Sequence, residues 1–177
     1  MKKLFIFVLL LVVTYVGFMI FHHKSNNTII NNAITKQSIF NNHSKYILYI
    51  DLDKPIFLPR LYLINTKTKK IEKSTFVFTA YKSGIIYSTK FSNVPSSNLT
   101  STGAFIINQQ YQGKFGYSAR IEGLEKQNNN AFKRTIVIHP CNLSPYTLGC
   151  YSTFESTLKE ILPLIKNGGF MFVNKIN

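Results

Sequence analysis

Thr135-Ile-Val-Ile-His139, followed by Thr147-Leu-Gly-Cys150, decides how this chain reads. The first run is apolar and β-branched and ends on a lone histidine; the second sets a cysteine directly behind a glycine. A strand end and a turn are places where an imidazole and a thiol can meet as a nucleophile pair. The chain holds four histidines and two cysteines in 177 residues, and only His139 and Cys150 lie in such a setting.

Outward from that pair, the sequence is rich in short strand signals. Tyr46-Ile-Leu-Tyr-Ile-Asp-Leu52, Arg60-Leu-Tyr-Leu-Ile-Asn65 and Lys73-Ser-Thr-Phe-Val-Phe-Thr-Ala80 are β-branched or aromatic runs. Pro55, Pro59 and the polar stretch from Thr66 to Lys70 separate them, which reads as a meander. Further runs occur at Ala104–Asn108, Gly116–Ile121 and Phe170–Val173. The pattern predicts a mainly β domain, a sandwich or distorted barrel. One helix is expected in its C-terminal half: Ser152 and Glu155 have capping-box spacing, and Leu158, Ile161, Leu162 and Ile165 share one face before Gly168-Gly169. Pro163 predicts a kink or split in it. A helix starting just after Cys150 would favour the thiolate through its unpaired N–H groups and its dipole. Gly149 would allow the tight turn there, beside N–H groups able to receive an oxyanion.

The N-terminus is of another kind. After Met1-Lys2-Lys3, residues 4–21 form an apolar run broken only by Thr14 and Gly17, about the length of a bilayer-spanning helix. Residues 1–23 therefore read as a membrane anchor or uncleaved signal, with His22 and His23 at the interface. Lys2 and Lys3 favour keeping the amino end inside, although Lys24 and the two histidines weaken the asymmetry, so the remainder is expected to face the periplasm or exterior. Residues 24–45, rich in Asn, Ser and Thr, read as a polar linker, and 46–177 as one domain. The net charge of +14 comes with scattered lysines and no arginine-rich segment, so it favours an anionic envelope surface over nucleic acid.

With these residues in view, the block from Phe91 to Val173 resembles the murein L,D-transpeptidase catalytic family, the YkuD-like variant with a long Phe-Ser-Asn to Ile-His signature. The matching pieces are Lys90–Ser97, Thr100–Phe105, Tyr111–Glu125, Asn130–His139, Leu148-Gly-Cys150 and Ile165–Gly169, in order, over about half the chain. The resemblance implies that Cys150 attacks the peptide carbonyl before the terminal D-Ala of a peptidoglycan stem peptide, with His139 as base and Gly149 near the oxyanion. It implies release of D-Ala and transfer of the resulting thioester to an amine, or to water in an L,D-carboxypeptidase. Tyr111, Tyr117, Thr147 and Arg134 would bind substrate. No metal or organic cofactor is implied, and carbapenem-type inhibitors would acylate Cys150.

This chain departs from the family at several points. Pro140 stands where glycine follows the histidine, Thr147 where serine is common, and Thr79-Ala80 where a His-Gly pair often occurs. Ten residues separate His139 from Cys150, a short loop. Cys141, on that loop, could bridge Cys150 in an oxidising compartment. A second expectation therefore stands beside the first: a degraded relative that binds peptidoglycan or an envelope partner without turnover.

Overall fold

The computed structural model describes residues 2–141, 144, 146–165 and 168–175, with backbone alone for 2–5 and 16–24. His22 and His23 thus lie outside the described side chains. Eight strands form one mixed sheet: β1 Tyr46–Asp51, β2 Leu61–Asn65, β3 Lys70–Thr75, β4 Gly103–Gly113, β5 Gly116–Gly123, β6 Val137–Pro140, β7 Tyr151–Thr153 and β8 Gly169–Asn174. Their spatial order is β3-β2-β1-β8-β4-β5-β6-β7. The expected meander is present, since β1–β2 and β2–β3 are antiparallel. Parallel pairs occur where β8 returns beside β1 and where β7 lies beside β6.

Alternation along β1 shows why both faces of this sheet are covered. Leu48 and Ile50 point into a core shared with Phe105, Ile121, Ile138 and Leu158, whereas Ile47 and Tyr49 join Tyr62, Phe170 and Phe172 on the other side. The first face is closed by α2, Glu155–Ile161, and the 3-10 turn Leu162–Leu164. The split at Pro163 takes the expected form, with that proline inside the 3-10 turn.

The second face is closed by α1, Lys2–Ile39. The polar linker expected over 24–45 is therefore corrected: Ile29, Ile30 and Ala33 are buried against the sheet. Gln37 is buried too, and its Nε2 donates to the Ser44 carbonyl at 2.9 Å, tying the helix end to the start of β1. The isolated Ile residues that read as a tether recur on one helical face, and burying them is what orders the segment. The transmembrane helix expected over 4–21 is not supported: among the described residues no helix is long and apolar enough to cross a membrane. The described apolar side chains there, Ile6 to Val13 and Tyr15, are exposed.

The sheet curls until its ends meet. Chain leaving β3 at one end of the strand order forms an isolated antiparallel bridge, Phe78 with Ser152 of β7, at the other end. Arg60 anchors that segment from below. It is fully buried, its Nε donates to the Val77 carbonyl at 2.9 Å and one terminal nitrogen donates to the Lys54 carbonyl at 3.2 Å. Burial pushes its pKa down to about 10, with Asp51 opposing the shift, so the cation persists at neutral pH. The strand expected over Lys73–Ala80 instead begins at Lys70 and stops at Thr75, because Phe76 to Ala80 cross to the far edge.

Because Ile30 is buried against the sheet, Ile30→Ala destabilises the protein by about 2–4 kcal/mol, read as a lower urea midpoint. A linker residue at that position would leave the midpoint unchanged.

Candidate active site

His139 lies on β6, and Cys150 immediately precedes β7. The register pairs Ile138 with Tyr151 and His139 with Ser152. Ile138 and Tyr151 both enter the core, so the alternation of strand side chains turns His139 and Cys150 to the opposite face. One step back along that register sets Cys150 beside Val137, diagonal to His139, with Cα atoms on the order of 8 Å apart. Both side chains line one cavity of about 760 Å³, with Thr135, Tyr146 and Leu148 among its walls.

His139 is held in a defined state. Its Nδ1 lies 2.8 Å from the Pro140 carbonyl oxygen. A carbonyl only accepts, so the neutral ring carries its proton on Nδ1 and keeps the lone pair on Nε2. Phe115 stacks on the ring at 4.5 Å between centroids. Burial holds His139 below its ordinary value of 6.5, opposed by the Pro140 carbonyl, so the imidazole is a free base at neutral pH. Pro140, the departure after the histidine, costs the β6–β7 ladder little, since the Cys141 N–H donates to the Thr153 carbonyl at 2.6 Å.

Cys150 is in the complementary state. Burial raises its thiol pKa, while the Val137 backbone N–H and the Arg134 guanidinium oppose the rise. The thiol contacts the Thr135 carbonyl at 3.9 Å. The activation expected from a helix start is corrected. Ser152 belongs to β7, and α2 begins at Glu155 after Phe154, with no side-chain cap. A dipole effect fades within one turn, so the cations near Cys150 must come from elsewhere. Cys141 and Cys150 are both free thiols.

The turn into Cys150 explains Gly149 and Thr147. Gly149 has φ 138°, and a Cβ there would sit 2.6 Å from Ile136 Cδ1. Its N–H donates to Thr147 Oγ1 at 3.2 Å, and that hydroxyl donates to the Cys150 carbonyl at 2.7 Å. The Gly149 N–H is thus spent on the turn rather than presented to an oxyanion. Thr147 is also gripped from outside: its N–H donates to the Thr79 carbonyl, and the Tyr81 N–H donates to its own carbonyl, each at 3.1 Å. Thr79 and Ala80, the positions of another departure, therefore brace the turn into Cys150. Thr135, β-branched at φ 55°, stores strain where its carbonyl meets the thiol.

The expected substrate residues separate into two groups. Tyr111 and Thr147 line the cavity. Tyr117 does not: it packs against the core, and its hydroxyl donates to Gln110 Oε1. Gln110 Nε2 in turn donates to the carbonyls of Leu162 and Ile165, so Tyr117 belongs to the packing beneath α2. Arg134 lies behind the cysteine, beside a smaller cavity. Its guanidinium donates to the carbonyls of Ser92 and Leu99 at 2.8 and 2.6 Å and to Ser101 Oγ at 2.8 Å. It is a fixed cation near the sulfur rather than a groove residue. Sequence reasoning missed Phe115, which reaches His139 from the two-residue turn Lys114-Phe115 between β4 and β5. Gly113 and Gly116 on either side of that turn were the available signal.

The sequence profile of the L,D-transpeptidase catalytic domain matches residues 21–174, and the chain belongs to that family. A search of curated protein sequences finds no match. Among solved structures, the avibactam carbamoyl enzyme of Ldtfm is similar over 76% of this chain and 51% of its own, at 13% identity and a TM-score of 0.52. The helical cell shape determining protein Pgp2 of Campylobacter jejuni is similar over 75% of this chain and 47% of its own, at 13% identity and a TM-score of 0.54. The chain thus spans about half the length of these two proteins, and at such identity the likeness is one of fold.

Two outcomes follow from the site's electrostatics. Alkylation of Cys150 by iodoacetamide rises with pH along a thiol titration displaced above the ordinary range, and Arg134→Gln displaces it further upward. A titration below the ordinary range would contradict the buried, neutral thiol. His139 also makes stability pH-dependent: its folded pKa is lowered, so the unfolded chain takes up this proton first as pH falls. The stability it contributes is present above 6.5 and is lost as pH falls from there towards the lower folded value, a loss that His139→Gln removes from urea titrations.

Proposed function

We propose that this protein is a cysteine-dependent L,D-transpeptidase acting on peptidoglycan stem peptides. The observation that carries this reading is the shared cavity of Cys150 and a His139 whose free lone pair is on Nε2. In the acylation step Cys150 Sγ attacks the carbonyl between the L-centre and the terminal D-Ala, and its proton passes to Nε2. The Cys150 N–H receives the oxyanion. His139 then returns the proton to the departing amine, the peptide bond breaks, and D-Ala leaves behind a thioester. An acceptor amine attacks that thioester, His139 takes the amine's proton, and the thiol is restored with it. Water in place of the amine gives an L,D-carboxypeptidase.

The neutral resting pair suits this sequence of steps. In a buried site an ion pair costs desolvation, whereas a neutral thiol and imidazole exchange one proton only as the sulfur attacks. Pro140 and Thr79-Ala80 support the active reading over the degraded one, because the first orients His139 through its carbonyl and the others brace Thr147.

The proposed location is the bacterial envelope, with the cysteine face outside the cytoplasmic membrane. The apolar run 4–21 behind Lys2 and Lys3 supports delivery there, and the exposed side chains from Ile6 to Tyr15 need an apolar cover.

The test is D-Ala release from a purified stem tetrapeptide. Wild-type protein releases D-Ala and yields a cross-linked or hydrolysed product; Cys150→Ala and His139→Ala lower the rate by at least about 100-fold. Binding to sacculi with no release from the wild type would favour the degraded reading.

A further inference from the structure

The part of the cavity across β6 from Cys150 is built by the β4–β5 hairpin. Tyr111 pairs with Ser118 across the ladder, and Arg120 follows Ser118 by two residues on the same strand face. All three line the cavity, and Lys114 reaches it from the hairpin turn. The Arg120 guanidinium lies over the Tyr111 ring, 5.1 Å from its centroid, which restrains the fork without using its N–H donors.

Neither cation has an acidic partner. Among the described residues the ion pairs are Lys73–Glu160, Lys159–Glu155 and Lys175–Asp53, and no Asp or Glu lines the cavity. Glu122, two residues further along the face of Arg120, does not line it and accepts from Asn108 Nδ2 at 3.2 Å. Lys114 lies over the Phe115 ring, 4.8 Å from its centroid, while the half-buried Arg120 has no acidic partner and keeps its charge and donors available for an anion in the cavity. The planar fork suits a carboxylate, which it can bind through two parallel hydrogen bonds.

We infer that Arg120, held over Tyr111 and assisted by Lys114, recognises a free carboxylate on the acyl donor, so that the cavity selects an acidic peptide over its amidated form. This rests on the reading of Cys150 as the acyl-accepting nucleophile. Arg120 is thereby the specificity-determining residue of the site.

The test compares Cys150 alkylation by iodoacetate and by iodoacetamide, which differ in their carboxylate, followed by intact mass on a Cys141→Ala background. The iodoacetate-to-iodoacetamide rate ratio, divided by that of free cysteine, is about tenfold higher in the parent than with Arg120→Gln. The exposed, distant Lys67→Gln leaves it unchanged. Arg120→Lys, which keeps the charge and loses the fork, gives an intermediate ratio and serves as the readout if Arg120→Gln does not fold. Equal ratios in the parent and in a folded Arg120 variant overturn the inference. A stem tetrapeptide and its C-terminal carboxamide then give the same comparison in turnover, Arg120→Gln raising KM for the acid alone. If the parent shows no turnover but the alkylation ratio depends on Arg120, the carboxylate site stands and the transpeptidase reading falls. If turnover proceeds with no acid preference and no effect of Arg120, the inference falls alone.

Discussion

The parallel pairing of β6 with β7 is the constraint on which the site depends. Two short strands, Val137–Pro140 and Tyr151–Thr153, run side by side with Ile138 opposite Tyr151. That register sends Ile138 and Tyr151 into the core and turns His139 and Cys150 towards the same cavity. A one-residue slip would exchange the two sets, moving the imidazole into the apolar core and the isoleucine to the cavity face. Parallel neighbours need a crossover, and here the short loop between His139 and Cys150 supplies it. It closes because Gly149 takes a backbone angle that other residues adopt only with strain and because Thr147 holds the turn through its hydroxyl. The loop's shortness therefore belongs to the way this chain builds its site.

The electrostatics of the pair follow from where that ladder lies. A thiol set back from solvent resists ionisation, and an imidazole under Phe115 resists protonation, so both effects favour the neutral pair. Arg134 and the Val137 N–H counter this for the sulfur alone. Arg134 can do so without closing on the sulfur, because the carbonyls of Ser92 and Leu99 hold its guanidinium. The cavity thus holds a neutral imidazole and a neutral thiol, with the Arg134 cation fixed near the sulfur.

Much of this was legible in the sequence, for reasons that differ by element. β1 and β2 read clearly because both faces of the sheet are buried, which leaves near-continuous apolar runs. His139 and Cys150 read through their setting and the blocks around them. The helix start misled because Ser152 and Glu155 have the spacing of a cap, while Ser152 is claimed by the β6–β7 ladder; a three-residue strand leaves too little pattern to outweigh that spacing. Residues 24–39 read as a tether because Ile29, Ile30 and Ala33 sit among polar neighbours, and only the docked sheet shows which face they share. Tyr117 and Arg134 lie in the right segments but do not line the groove: segment matching cannot tell one side of β5 from the other, nor that the turn before β6 points the Arg134 guanidinium at the carbonyls of Ser92 and Leu99.

The proposed reaction requires Cys150 as nucleophile and His139 as base within one cavity. The most direct measurement is the intact mass of the reduced protein after incubation with a carbapenem. One covalent adduct per chain is expected, slowed by His139→Gln and absent in Cys150→Ala. No adduct on the reduced wild-type protein, or one that persists in Cys150→Ala, would contradict it.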